Sequence, residues 1–333
     1  MHTGKRFTPG EFLKWTRRDL YWMLILAAIP TIIYTLGFTF IALPWPPVAI
    51  LGTSVAFIVG FKNNASYSRL WEARQIYGSI VNDSRSFGYT LRDSLRNDVG
   101  IVRRMFGVHF AWLTALRYQL RDPRTWENMQ RANNREFLKG HYEIPERNSK
   151  LEDELKAYLS EEDRQYILSK KNRATQLMAM QSAELSSLRS SGSINDFQWT
   201  QLQQLAMRFT DNQGRAERIK NFPYPRNFSS IATYLLFLFV VTVPFAMLKE
   251  LDRLGDSTFL EGYTIWFNIP FSAMVTWAFH TLDTVGESSV NPFEGSANDV
   301  PISQISRMIE IDMKDMLNDA LPEPIVPKNN IVL

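Results

Sequence analysis

Charged and apolar positions are distributed unevenly along this chain, and that unevenness predicts its architecture. No Asp, Glu, Lys or Arg occurs between Asp19 and Lys62, a run of 42 residues. A helix crosses the hydrocarbon of a bilayer in about 20 residues, so the run suffices for two passes. Leu43-Pro44-Trp45-Pro46-Pro47 interrupts it. Prolines at this density remove backbone donors and force extended neighbours. The pattern predicts a helical hairpin: one span over 21–42, a tight turn, and a second span from about 47. Trp22 and Trp45 fall where interfacial aromatic belts form. A second charge-free pair follows, over 227–248 and over the more polar 262–282, which contains His280. The connecting loop, Lys249 to Thr258, is charged and turn-like.

The second span has no polar break at its inner boundary. Leu51 to Arg74 reads as one continuous helix leaving the membrane. The segment 69–225 then reads as helix almost throughout. Ser149-Lys150-Leu151-Glu152 has the form of a capping box, opening a helix with Leu151, Leu155, Tyr158 and Leu159 on one face. Ser160 is a second N-cap, followed by a stripe through Leu177, Met178, Gln181, Leu185 and Leu188. Gly192-Ser-Ile194-Asn-Asp196 breaks that helix, and Trp199, Leu202, Leu205 and Phe209 begin the next. Strand-like alternation and solenoid repeats are absent. The last dozen residues, rich in Pro and Asn, are expected as an extended tail. The predicted fold class is all-α: four transmembrane helices plus a large cytoplasmic helical domain. The organisation runs 1–20 cytoplasmic, 21–68 transmembrane hairpin, 69–225 cytoplasmic helical domain, 226–282 transmembrane hairpin, 283–333 cytoplasmic.

Bulk composition alone points elsewhere, since the mean hydropathy of −0.20 is that of a soluble chain. Charge placement matters more than the net +3. Lys5, Arg6, Lys14, Arg17 and Arg18 precede the first span, and Arg69, Arg74, Arg85, Arg92 and Arg96 follow the second, whereas the connecting loops offer only Lys249 and Arg253. The positive-inside bias therefore puts both termini and the large segment in the cytoplasm. The first apolar stretch is too long for a signal peptide and is expected to stay as an anchor.

Candidate chemistry is sparse. With no Cys, disulfides, thiolate metal sites and Cys nucleophiles are excluded. No phosphate-binding loop or nucleophile elbow appears, and no catalytic residue or cofactor is expected. His280, Asp283 and Glu287 share one helix face and form a weak metal or proton candidate; a water-facing helix end is the plainer account. The Arg-rich stretch 103–135 could meet nucleic acid or anionic lipid, but a solvated or salt-bridged helix face is commoner. On the second span, Thr53, Phe57 and Phe61 recur at i+4, while Gly52, Ser54, Ala56 and Gly60 permit close helix packing. Such a Phe pair is either ordinary packing or a ring of apolar side chains around an oligomeric pore. Lys62, one residue on, either snorkels to lipid phosphates or contributes to a positive collar below that ring.

Three stretches resemble the bestrophin family: Phe57-Ile-Val-Gly-Phe61 followed by Tyr67-Ser-Arg69-Leu-Trp71-Glu72; Asn212-Gln-Gly-Arg-Ala-Glu-Arg-Ile219 with Pro223 and Pro225; and Gly286-Glu287-Ser-Ser-Val-Asn291-Pro292-Phe293. They occur in family order, and the resemblance covers about 10 to 320. It implies a homopentamer in the bacterial inner membrane around one central pore, with a neck carried over to Thr53, Phe57 and Phe61. The aperture falls on Ile194 or Phe197, depending on whether the Ile-x-Asp pattern or the count back from Gly214 is followed. The family usually has a larger apolar residue where Thr53 stands. Animal members bind calcium after Asn-Pro-Phe; here Ser296 and Asn298 replace family carboxylates, so the resemblance does not carry calcium gating over to this chain. The implied activity is passive conduction of chloride or other small monovalent anions, with no nucleic-acid partner and membrane lipids as surroundings. A sodium-conducting bacterial member and a non-conducting membrane scaffold are the alternatives.

Overall fold

A computed structural model describes residues 1–256 and 261–333. Their regular structure is helical apart from two isolated backbone bridges. In chain order the helices are α1 Pro9–Thr35, α2 Trp45–Ser94, α3 Val99–Arg121, α4 Ala132–His141, α5 Pro145–Asn148, α6 Leu151–Leu155, α7 Glu161–Leu168, α8 Arg173–Ser190, α9 Asp196–Asn221, α10 Arg226–Arg253, α11 Asn268–Ser289 and α12 Ile302–Asp315.

Local sequence explains most of the boundaries. Thr8 and Glu11 form a reciprocal capping box at the start of α1, with Pro9 at the first helical position. The helix ends at Thr35, short of the expected 42, because Gly37 turns left-handed at φ +99, a conformation that costs glycine little. Pro44 is the extended residue before α2, and Pro46 and Pro47 occupy its first turn, where the missing N–H groups have no helical partner to lose. From there α2 runs unbroken for 50 residues. At the other hairpin α10 continues through Lys249 to Arg253, so the first half of the expected loop is helix; its end at Ser257 and Thr258 lies outside the described residues. Charged residues at the membrane edge mark where hydrocarbon stops, but they do not break a helix.

Two cores follow from this layout. In the first, α10 and α11 pack against the first half of α2, and α1 packs on α10 and α11. Val48, Val55 and Val59 of α2 meet Leu236, Phe239 and Val243 of α10. Of the helices in this bundle, α2 and α10 are apolar and long enough over one window to cross a membrane. In the second, larger core, the remainder of α2 packs on α9 and α12, and α3 packs on α8. Trp112, Phe87 and Phe209 are fully enclosed there. His109 joins them, accepting or donating a 2.9 Å bond with Ser84; burial pushes its pKa down to about 3, which keeps the ring neutral.

The sequence expectations fail at two local points. Ser149 does not cap a helix; its hydroxyl bonds Tyr118, Glu154 and the Pro145 carbonyl, and Lys150 precedes α6 without a side-chain cap. The tail is not simply extended either. Ile331, Val332 and Leu333 are buried, and Ile331 bridges antiparallel to His2. Both chain ends therefore lie together, with Met1 against Arg74 in the middle of α2.

Candidate functional site

The first half of α2 presents two different faces. Val55, Val59, Lys62 and Ser66 are buried against the bundle, whereas Phe57 and Phe61 remain 64% and 70% exposed. Thr53 shares the exposed face, its hydroxyl spent on the Ala49 carbonyl at 3.1 Å. Ile50, 70% exposed, extends the same stripe one turn further; its position at i−7 from Phe57 was the available signal. The stripe is continuous, largely apolar and, among the described residues, without a packing partner.

An ionic anchor sets the rotation that points this stripe outward. Lys62 Nζ lies 2.7 Å from Asp283 Oδ1 and 3.1 Å from Glu287 Oε1, with its side chain 3% exposed. Arg131 also pairs with Glu287. Adjacent helical residues point about 100° apart, so Lys62 turns to α11 while Phe61 turns away. Of the charge that the collar reading places at Lys62, two carboxylates compensate the ammonium within the chain, and it lies off the phenylalanine face. The same contacts answer the metal or proton candidate. Asp283 and Glu287 serve the ammonium, and His280 faces Asp19 instead, at 3.6 Å. No group of three or more such ligands suited to a metal occurs among the described residues. Beside the anchor, Asn63 Nδ2 donates to the Leu282 carbonyl at 3.0 Å. A Cβ on Gly286 would sit 1.8 Å from Asn63 Oδ1, so the helices approach this closely only with glycine there.

Below the anchor, Arg69 donates to the carbonyls of Val290, Ile219 and Phe222 at 2.8–3.1 Å. It ties α2 to the ends of α9 and α11. Tyr67 and Trp71 stack at 6.2 Å, and Glu72 pairs with Arg218 at 2.7 Å. The Arg-rich stretch is likewise occupied within the chain: Arg117 pairs with Glu146 and Glu154, Arg121 with Asp299, and Arg103 with Asp319.

The break between α8 and α9 separates the two aperture candidates. Gly192 takes φ +75, and Asn195 caps α9 through a reciprocal pair with Gln198. Ile194 is 2% exposed and belongs to the larger core, so its side chain is not available to line an opening. Phe197, in the first turn of α9, is 88% exposed. In the loop after α11, Asp299 accepts from the N–H groups of Phe293, Gly295 and Val300 and from Arg121. Its carboxylate is thus committed to the loop's own fold. Glu294 is buried, accepts only from the Asn128 N–H at 2.9 Å, and leaves Oε1 without a partner. Burial raises its pKa to about 8, with Asp299 and Glu127 adding to the effect.

A bundle in which α2 and α10 are apolar and long enough to cross a membrane, with an apolar stripe exposed on α2, defines a class of helical membrane proteins. The model of the bacterial and fungal bestrophin proteins matches residues 6–315, and the chain belongs to that family. Among curated relatives it is 26% identical over 289 residues to the voltage-dependent anion channel-forming protein YneE of Escherichia coli K12, covering 86% of this chain and 82% of that one. It is 24% identical over 307 residues to RSc3414 of Ralstonia nicotianae, a protein of the same description, covering 91% and 87%. A crystal structure of a bacterial bestrophin homologue from Klebsiella pneumoniae superposes with a TM-score of 0.74 at 23% identity, covering 90% of this chain and 98% of that one.

Proposed function

We propose that this protein is a passive anion channel, assembled as a homopentamer in the bacterial inner membrane. Four spans, provided by α1, α2, α10 and α11, cross the bilayer, and both termini are cytoplasmic. The observation that carries this reading is the stripe of Thr53, Phe57 and Phe61: apolar, exposed, and held outward by a buried ionic contact on the opposite face of the same helix. Five copies around an axis make a neck in which an ion finds no polar group to replace its hydration shell. Phe197 forms the cytoplasmic aperture. Preference for chloride or another monovalent anion rests on the relatives described as anion channel-forming proteins, since the neutralised Lys62 no longer argues for it.

The test is the reversal potential of the purified protein in planar bilayers across an asymmetric potassium chloride gradient. Reversal near the chloride equilibrium potential is expected. Reversal toward the cation potential, repeated with sodium chloride, would assign the sodium-conducting alternative, and no current from correctly assembled protein would leave the scaffold.

A further inference from the structure

At the inner end of the bundle, α1, α10 and α11 enclose a groove of about 750 Å³. Its upper wall is apolar, built from Trp22, Met23 and Leu26 of α1 with Phe237, Val240 and Val241 of α10. Its floor is ionic, built from Asp19, Arg131, His280, Asp283 and Glu287. The level of this change is fixed by the chain itself. Asp19 and Lys62 end the long charge-free run, Lys62 contacts Asp283, and His280 contacts Asp19. All of these groups therefore mark one membrane boundary. The groove straddles it, with its apolar half on the hydrocarbon side.

We infer that this groove is a binding site for a phospholipid bearing an amine headgroup, of the ethanolamine class. A molecule seated there must be an amphiphile, and the volume lies within the roughly 300–1,000 Å³ of ordinary ligand sites. Charge selects the headgroup. Asp283 and Glu287 are compensated by Lys62 and Arg131. Among the described residues Asp19 has only the amide of Asn133 at 3.2 Å and the distant imidazole of His280. Three carboxylates thus face two permanent cations, and the excess negative charge sits on Asp19. An ammonium placed against Asp19 completes the floor. Arg131, 55% exposed and with one terminal nitrogen on Glu287, keeps further guanidinium donors for the phosphate. A net-anionic headgroup would bring a second negative charge to the same carboxylate. This inference rests on the membrane embedding of the chain and not on its conduction.

Native mass spectrometry of the intact oligomer tests it, after exchange into equal amounts of phosphatidylethanolamine, phosphatidylcholine and phosphatidylglycerol with identical acyl chains. The wild type should retain ethanolamine lipid over the other two by about tenfold, the worth of one charge-assisted hydrogen bond. Asp19→Asn should reduce that ratio to near unity while lipid is still retained. Val240→Trp, which fills the apolar wall, should reduce retention of all three at unchanged oligomer mass. Soluble phosphoethanolamine should not displace the lipid, because it lacks the acyl contacts. Preferential retention of the glycerol lipid, no retained lipid at all, or displacement by the free headgroup would overturn the proposal. So would a photo-cross-linker at Val241 that captures a neighbouring protein chain in place of lipid.

Discussion

At the scale of single residues, Lys62 shows what linear sequence cannot state. Its position past Phe61 and its 100° offset are both readable from helical periodicity, but what occupies that azimuth is not. The partner, Asp283, lies 221 residues away. Breaking a buried ion pair on one side leaves an uncompensated charge and costs roughly 3–5 kcal/mol. Lys62→Gln should therefore lower the unfolding midpoint in detergent while leaving the reversal potential unchanged; a shift in selectivity without loss of stability would restore the collar. The aperture candidates separate in the same way. Ile194→Ala should destabilise by about 2–5 kcal/mol as a core truncation, whereas Phe197→Ala should change stability by less than about 0.5 kcal/mol and alter permeability instead. Glu294 makes a prediction about pH. Its folded pKa, raised to about 8 from the ordinary 4.5, means the folded state holds a proton that the unfolded state has released. Stability from this group is thus full below pH 4.5 and falls as pH rises toward 8. His109 runs the other way, losing stability as pH falls from 6.5 toward 3. Subtracting the melting profile of Glu294→Gln from that of the wild type isolates the first slope, which should be negative between pH 4.5 and 8.

At the scale of elements, periodicity and punctuation were informative wherever a residue acts on its own backbone. The proline turn before α2, the Ser160 cap and the Gly192 break all fall where expected. Reading failed where tertiary partners decide. Ser149 looks like a cap in isolation, yet Tyr118 and Glu154 compete for its hydroxyl. The end of α10 lies beyond the change in polarity at Lys249, because a charged residue alters the surroundings of a helix and not its conformation. Of the small residues of α2, Gly52 makes its close approach to Phe239 of α10, whereas the decisive glycine at the crossing of α2 and α11, Gly286, lies on the other helix. Gly286→Ala should push Asn63 aside and separate the two helices, lowering thermal stability and disturbing conductance together. Adding Asn63→Ala should recover much of the loss, because it removes the atom that the new methyl meets. If the second substitution gives no recovery, the close approach is maintained by something other than this contact.

At the scale of the whole molecule, the class of fold was legible because membrane spans must satisfy their own backbone and announce themselves as charge-free runs. The assembly entered only through the family resemblance, since the residues proposed to line an axis are exposed in one chain. Phe57→Ala combined with Phe61→Ala should widen the neck and raise unitary conductance, with an unchanged pentameric mass in detergent; wild-type conductance in an intact pentamer would reduce the pair to packing. The unbroken length of α2 has a mechanical consequence. Sharp bends in helices need proline, a π-bulge or an inserted group, and no proline follows Pro47 in α2. The helix is then a lever, and the Lys62 anchor is its fulcrum. One arm, from Trp45, is about 26 Å long, and the other, to Ser94, is about 48 Å, at 1.5 Å per residue. A rigid tilt about Lys62 that moves Trp45 by one increment swings Ser94 by nearly two, so such a motion is read with the greatest gain by a distance probe placed at Ser94.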